Sequence, residues 1–161
     1  MREFNLLGNY PQPNKPRYVS QNLRKIKNRI IATYRDKEFF DGDRNDGYGG
    51  MVYDGRWKSI AKKILEEYKI GDNSKILQIN CEKGFLLNDF LQIHAEMEVC
   101  GTETSQYAMQ NAMASVQEKI HLTSPLKLPF PDNTFDFVIG LGVVYAFTIP
   151  DAITSLKEIQ R

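Results

Sequence analysis

The sequence predicts an α/β protein built on a mostly parallel sheet, and three observations carry that prediction. From Lys75 onward, short β-type runs alternate with stretches of helical apolar spacing, the pattern of βαβ crossovers. The run KILQIN ends in a polar turn, a single glycine follows at Gly84, and helical spacing begins at once. Hydrophobic residues make up 42% of the chain and charged residues 25%, ordinary values for a chain that folds around one core. A domain of this size buries roughly 68–70% of its unfolded surface.

The elements follow in order. Residues 1 to 19 carry Pro11, Pro13 and Pro16 without periodicity and read as an extended arm. Ser20 caps a helix whose apolar positions are Leu23, Ile26, Ile30, Ile31 and Tyr34. The block EFFDGDRNDGYGGMVYDGRW reads as a long loop, a class that is often functional or disordered. A second helix spans about Arg56 to Lys69, with Ile60, Ile64, Leu65 and Tyr68 on one face and Gly71 as its stop. Strand one is Lys75 to Asn80, followed by a helix from Gly84 to about Ile93. Strand two is Glu98 to Glu103, and Ser105 caps a helix to about Ser115. Ile120 to Leu122 is strand three, Phe135 to Leu141 strand four, and Pro150 to Gln160 the last helix. Residues 1–55 form an N-terminal arm, helix and loop, and residues 56–161 the α/β domain.

Charge excludes little and directs little. Lys plus Arg number 21 and Asp plus Glu 20, so no global field points to nucleic acid. Lys15 to Arg35 holds seven basic residues (Lys15, Arg17, Arg24, Lys25, Lys27, Arg29, Arg35) and no acid. A solvated helix face accounts for that run better than a docking surface for an anionic carrier. Cys81 and Cys100 lack metal-type spacing and read as small buried thiols in a reducing compartment, and no metal site is expected. No continuous apolar run approaches the ~20 residues that span a bilayer, so the expected location is the cytoplasm.

In an open α/β sheet a ligand sits outside the carboxyl ends of the strands, and the loop after strand one is the usual place. Gly84, entering a helix, allows close strand–helix packing and leaves backbone N–H groups for a carboxylate or phosphate. Glu103 closes strand two about twenty residues further on, where an acid accepts from ribose hydroxyls.

Three pieces in order, ILQINCEKGFLLNDF, VCGTETSQYAMQNA and LKLPFPDNTFDFVIG, resemble the class I S-adenosylmethionine-dependent methyltransferases. The LPFPDNTFDFVI piece is the most specific, and the upstream GYGG and YDGRW blocks look like the lead-in of a subgroup associated with surface polysaccharides. The resemblance implies a Rossmann-like sheet of seven strands in the order 3-2-1-4-5-7-6. This chain carries the first four, so the expectation is a 3-2-1-4 sheet with strands five to seven missing and strand four at an apolar edge. A partner chain or a homo-oligomer is the expected cover for that edge.

The same resemblance implies S-adenosyl-L-methionine as cofactor and a small molecule or glycan as acceptor. Its first motif, an acid, an apolar residue and Gly-x-Gly-x-Gly, falls on Gln78, Ile79, Asn80, Cys81, Glu82, Lys83 and Gly84. The ribose-binding acid falls on Glu103, with Thr104 beside it; the adenine-amino position falls on Ser124, followed by Pro125; the methionine end falls on Gly140 and Leu141. Gln78 stands where the family has a carboxylate, and Asn80 and Glu82 stand where it has glycines. Weakened cofactor affinity is the expectation.

No single residue takes a catalytic role. His94 and His121 read as structural or surface histidines. Tyr48, Tyr53, Asp54 and Trp57 serve either as a lid and acceptor wall or as a clasp holding the N-terminal helices to the sheet. Two other readings stay open. One is a non-catalytic remnant that binds a partner through the strand-four edge. The other, a nicotinamide-binding dehydrogenase module, lacks its strand-one glycines and leaves LPFPDNTFDFVIG without a purpose.

Overall fold

The computed structural model describes residues 4–11 and 23–161. A four-stranded parallel sheet in the order β3-β2-β1-β4 forms its centre. The strands are β1 (Lys75–Ile79), β2 (Glu98–Glu103), β3 (Ile120–Leu122) and β4 (Phe137–Gly140). The register sets Gln78 opposite Gly101 and Ile139, and Ile79 opposite Thr102 and Gly140. Parallel pairing brings the carboxyl ends of β1, β2 and β4 to one rim, and the order reverses beside β1. A ligand crevice belongs there.

Both sheet faces are covered, as a parallel sheet requires. On one face, α3 (Lys58–Tyr68) and α4 (Phe85–Ile93) bury Ile60, Ala61, Ile64, Leu65, Leu86, Leu87 and Phe90 against Ile76 and Val99. On the other, Leu77 and Ile79 meet Leu128 and Val143, with Phe130, Phe135 and Ile159 packed around them. Ile159 belongs to α6 (Ile149–Gln160), which Thr148 caps by accepting the Asp151 N–H at 3.3 Å, with Pro150 in the first turn.

Several boundaries differ from expectation for identifiable reasons. Ser105 does cap α5, accepting the Ala108 N–H at 3.1 Å, but α5 covers only Gln106–Gln110. The Met113 N–H is drawn off to the Lys83 carbonyl at 3.0 Å, so the predicted run to Ser115 becomes turns. Helix α3 stops at Lys69, in the left-handed region (φ 54°), rather than at Gly71. Stopping there lets the Ile70 N–H close on the Leu65 carbonyl at 3.0 Å while its side chain packs against the core. The supposed long loop holds a short helix, α2 (Lys37–Asp41), capped by Asp36, and Leu6–Asn9 forms a 3-10 turn rather than extended arm.

The first helix, α1, spans Ile26–Tyr34; the predicted cap at Ser20 lies outside the described residues. Of its five expected apolar positions, Leu23, Ile26, Ile30 and Tyr34 are exposed, and Ile31 is half-buried. Arg24 and Asn28, on the opposite side, tie it to Asn45 and Asp46.

Candidate functional site

The loop after β1 turns through three left-handed residues, Asn80 (φ 51°), Glu82 (φ 57°) and Gly84 (φ 72°). Asn tolerates that region and Gly84 has no steric objection; Glu82 pays on the order of 1 kcal/mol. A Cβ on Gly84 would lie 2.6 Å from Val116 Cγ2, so close packing also demands glycine there. Three hydrogen bonds hold the turn: Cys81 N–H to the Thr102 carbonyl (2.9 Å), Gly84 N–H to the Cys81 carbonyl (2.9 Å) and Glu82 N–H to Glu103 Oε2 (2.8 Å). Glu103 therefore stands at the mouth of this turn.

The Glu103 side chain is fully buried and fully engaged. Its Oε1 accepts from Thr104 N–H (2.8 Å), Ser105 N–H (2.9 Å), Thr104 Oγ1 (3.2 Å) and Arg35 Nη2 (3.3 Å). Arg35 arrives from the end of α1, itself left-handed (φ 47°), and its guanidinium lies 5.3 and 5.5 Å from the ring centroids of Phe39 and Phe40.

The other end of the groove is the reverse. Gln78, Asn80, Met51, Trp57 and Leu141 are among the residues lining a cavity of ≈ 120 Å³, and the oxygens Gln78 Oε1 and Asn80 Oδ1 are buried without a hydrogen-bond partner. Buried acceptors normally have donors, and leaving one unmet costs roughly 1–3 kcal/mol. Both belong to residues that line one cavity.

The N-terminal segment is fastened over the loop. Lys83 Nζ reaches both oxygens of Asp41 at 2.7 Å and the Met51 carbonyl at 2.9 Å. Tyr107 Oη donates to Asp41 at 2.7 Å, and the Met51 N–H at 3.0 Å. Burial raises the Asp41 carboxyl, but these donors outweigh it and hold it below the ordinary aspartate value. Tyr48 donates to Glu82, and Tyr53 to the buried Asp89. Burial lifts the Glu82 carboxyl, against the pull of Tyr48 and Arg35, with Glu103 adding to the rise.

The structure thus brings Gln78, Asn80 and Leu141 to one cavity, Gly140 to the end of β4 opposite Ile79, and Glu103 and Thr104 to the loop mouth. Ile79 is core. Ser124 is exposed and accepts from the Leu126 N–H within its own turn. Of the aromatic block, Tyr48 and Tyr53 act as a clasp, Trp57 packs at a tilt of 57° against Tyr10 and lines the cavity, and Asp54 pairs with Arg56. His94 pairs with Asp72, and His121, opposite Thr102 in the register, sits edge-on to Phe130. Cys81 is buried and Cys100 half-buried; burial pushes the Cys100 thiol up to about 11. Among the described residues no group of His, Cys, Asp and Glu is arranged to hold a metal ion, and no helix is long and apolar enough to cross a membrane. Arg35, Asp41, Lys83 and Tyr107 escaped sequence reasoning; nothing in their local pattern marks contacts made across tens of residues.

A switch-point crevice on a 3-2-1-4 parallel sheet, with an acid closing β2, is the Rossmann-like arrangement that class I S-adenosylmethionine-dependent methyltransferases share with dinucleotide-binding folds. Residues 77–161 match the methyltransferase domain family, and the chain belongs to it. A demethylmenaquinone methyltransferase from Symbiobacterium thermophilum is 23% identical over 159 residues, covering 93% of this chain and 59% of the relative. An uncharacterized methyltransferase from Schizosaccharomyces pombe is 34% identical over 128 residues, covering 72% of this chain and 45% of the relative. The chain thus spans 45–59% of the length of these two relatives. Among solved structures, an S-adenosyl-L-methionine-dependent methyltransferase from Methanococcus maripaludis superposes with a TM-score of 0.56 at 15% identity, covering 89% of this chain and 64% of that one. That likeness concerns the fold.

Proposed function

We propose that this chain binds S-adenosylmethionine across the loop after β1 and serves methyl transfer to a small-molecule or glycan acceptor. The observation that carries the reading is the pair of partnerless oxygens, Gln78 Oε1 and Asn80 Oδ1, beside the same turn that Glu103 holds. The donor set fits the group: two amide oxygens suit an ammonium, and a carboxylate at the end of β2 suits vicinal hydroxyls. When bound, the cofactor supplies an electrophilic methyl on a sulfonium.

The chain's own residues orient and desolvate. Gln78 and Asn80 accept from the amino group, Glu103 from the ribose, and Thr104 and Ser124 flank the base. Gly140 carries no side chain where β4 comes nearest the groove. Met51, Trp57 and Leu141 give the methyl-bearing end apolar walls that exclude water. Positioning of this kind supplies as much as ~7–11 kcal/mol of a displacement barrier, so transfer to a nucleophilic acceptor needs no covalent participation by the protein.

Calorimetric titration with S-adenosylmethionine tests the reading. One-to-one binding that Gln78→Leu weakens supports it, and no heat and no thermal shift refutes it. A second reading, a partner-binding domain without catalysis, draws on the exposed apolar residues Ile149, Ile153 and Leu156 of α6. Such a domain would bind without transferring a methyl group.

A further inference from the structure

The ribose-accepting carboxylate already holds a cation of the protein's own, and the geometry around it is that of a contact made to be released. We propose that Arg35 competes with the cofactor for Glu103, so that S-adenosylmethionine enters only as the junction of α1 and α2 swings away from the loop. This rests on the cofactor reading above and adds the residue that sets its affinity.

The donors on Glu103 fall into two kinds. The N–H groups of Glu82, Thr104 and Ser105 are fixed by the sheet and the turns that leave it, and no ligand can replace them without unfolding the rim. Arg35 Nη2 belongs to a different part of the chain, and at 3.3 Å its contact is the longest of the five. Glu103 has no exposed surface, so a diol reaching either of its oxygens must displace a neighbour, and Arg35 is the neighbour that the sheet does not fix.

Arg35 is also poorly settled. Its Nε is buried without a partner, and its backbone is left-handed, a conformation that disfavours side-chain-bearing residues. What retains it is stacking on Phe39 and Phe40 and the charge attraction of Glu103. The tie from Tyr48 to Glu82 closes the same mouth from the other side. With these contacts made, the cavity at the loop is ≈ 120 Å³, well short of the roughly 300–1,000 Å³ typical of ligand pockets. The loop cavity alone is too small for a whole nucleoside with its methionine tail; Arg35 also lines a second cavity, of ≈ 370 Å³, together with Thr104 and Ser105.

The rest of the segment is positioned to stay. Asp41, four residues beyond Lys37, is held by Lys83, Tyr107 and the Met51 N–H, so the far end of α2 is anchored. The left-handed residue at Arg35 joins α1 to α2 without a helical hydrogen bond across it, which makes this junction the hinge.

The test is calorimetric titration of S-adenosylmethionine into the wild-type chain, Arg35→Met and Arg35→Lys, with thermal unfolding of each. Competition predicts that Arg35→Met binds roughly five- to tenfold more tightly, the strength of one charged hydrogen bond partly open to solvent. Arg35→Lys, which keeps the charge, returns toward the wild-type affinity. A merely structural Arg35 would move affinity the other way, because its loss would loosen the site. Tyr48→Phe, which removes only a hydroxyl, is the second variant should Arg35→Met fail to fold, and it is expected to tighten binding two- to threefold. Binding by the wild type that either folded variant leaves unchanged or weaker overturns the competition alone. Binding by neither the wild type nor the variants overturns the competition and the cofactor reading together.

Discussion

The two ends of the groove outside β1 are in opposite states. At one end Gln78 and Asn80 present oxygens that nothing in the chain satisfies; at the other, Glu103 is saturated by five contacts. Both are acceptors next to one loop, and both are read here as serving one ligand. The difference lies in what the fold has within reach. Arg35 and three backbone amides lie beside Glu103, whereas the cavity around Gln78 is lined by Met51, Trp57, Phe85 and Leu141 together with Tyr48 and Lys83, whose donors are engaged by Glu82, Asp41 and the Met51 carbonyl.

That comparison can be broken hardest at Glu103. Glu103→Gln replaces an oxygen with an amide group that faces backbone donors, so it should cost about 2–3 kcal/mol in urea unfolding and abolish measurable cofactor binding. An unchanged affinity would mean that the ribose does not meet this residue.

Next in size are two changes at the open end. Gln78→Leu removes an acceptor that has no partner in the free protein, so stability should hold or rise while cofactor affinity drops by about tenfold. Gln78→Glu should do the reverse. It buries a charge and lowers the melting temperature of the free chain, and it tightens binding by about tenfold through charge assistance. Parallel losses of stability and affinity in Gln78→Leu would show a structural role instead.

A smaller effect is expected at the clasp. Asp41→Asn weakens the hold of Lys83, and with a quarter of that carboxylate exposed the cost should be about 1 kcal/mol. Because the folded carboxyl lies below its ordinary value of 3.8, its contribution is present above that value and disappears as pH falls through the lower folded value. The wild type and Asp41→Asn should therefore converge in stability only in acid.

The smallest change is at Glu82, whose carboxyl is raised by burial. The folded state holds its proton more firmly, so the native protein gains stability as pH falls and is penalised at neutrality. Glu82→Gln should raise the melting temperature slightly at neutral pH and leave it unchanged well below the ordinary glutamate value of 4.5.

Much of the domain was legible before any coordinates. Strands at Lys75, Glu98, Ile120 and Phe137 fall inside or close to the runs read from β-type patterning, and the 3-2-1-4 order follows the resemblance carried by LPFPDNTFDFVI. The misreadings share one cause. The turns after Gln110 and the stop at Lys69 are decided by hydrogen bonds to partners outside the local window or by one side chain seeking the core. The apolar period of α1 was real, but the helix packs through Arg24 and Asn28, so a true periodicity pointed to the wrong face. In the candidate site, Gly84 and Glu103 were singled out by local spacing along β1 and β2, and Gln78 and Asn80 by the family motif laid on the same turn. Arg35 was not, because nothing over the 68-position separation from Glu103 carries a period that would align them.

Residue order alone settled the parallel sheet, the crevice at the end of β1 and the acid at its rim, because strand patterning, a glycine before a helix and a strand-end carboxylate are short-range features. Only the folded chain decided which acceptors are filled and which stand open. That outcome depends on where a distant guanidinium and a tyrosine hydroxyl come to rest, and a few ångströms of side-chain reach separate a satisfied carboxylate from an unsatisfied amide.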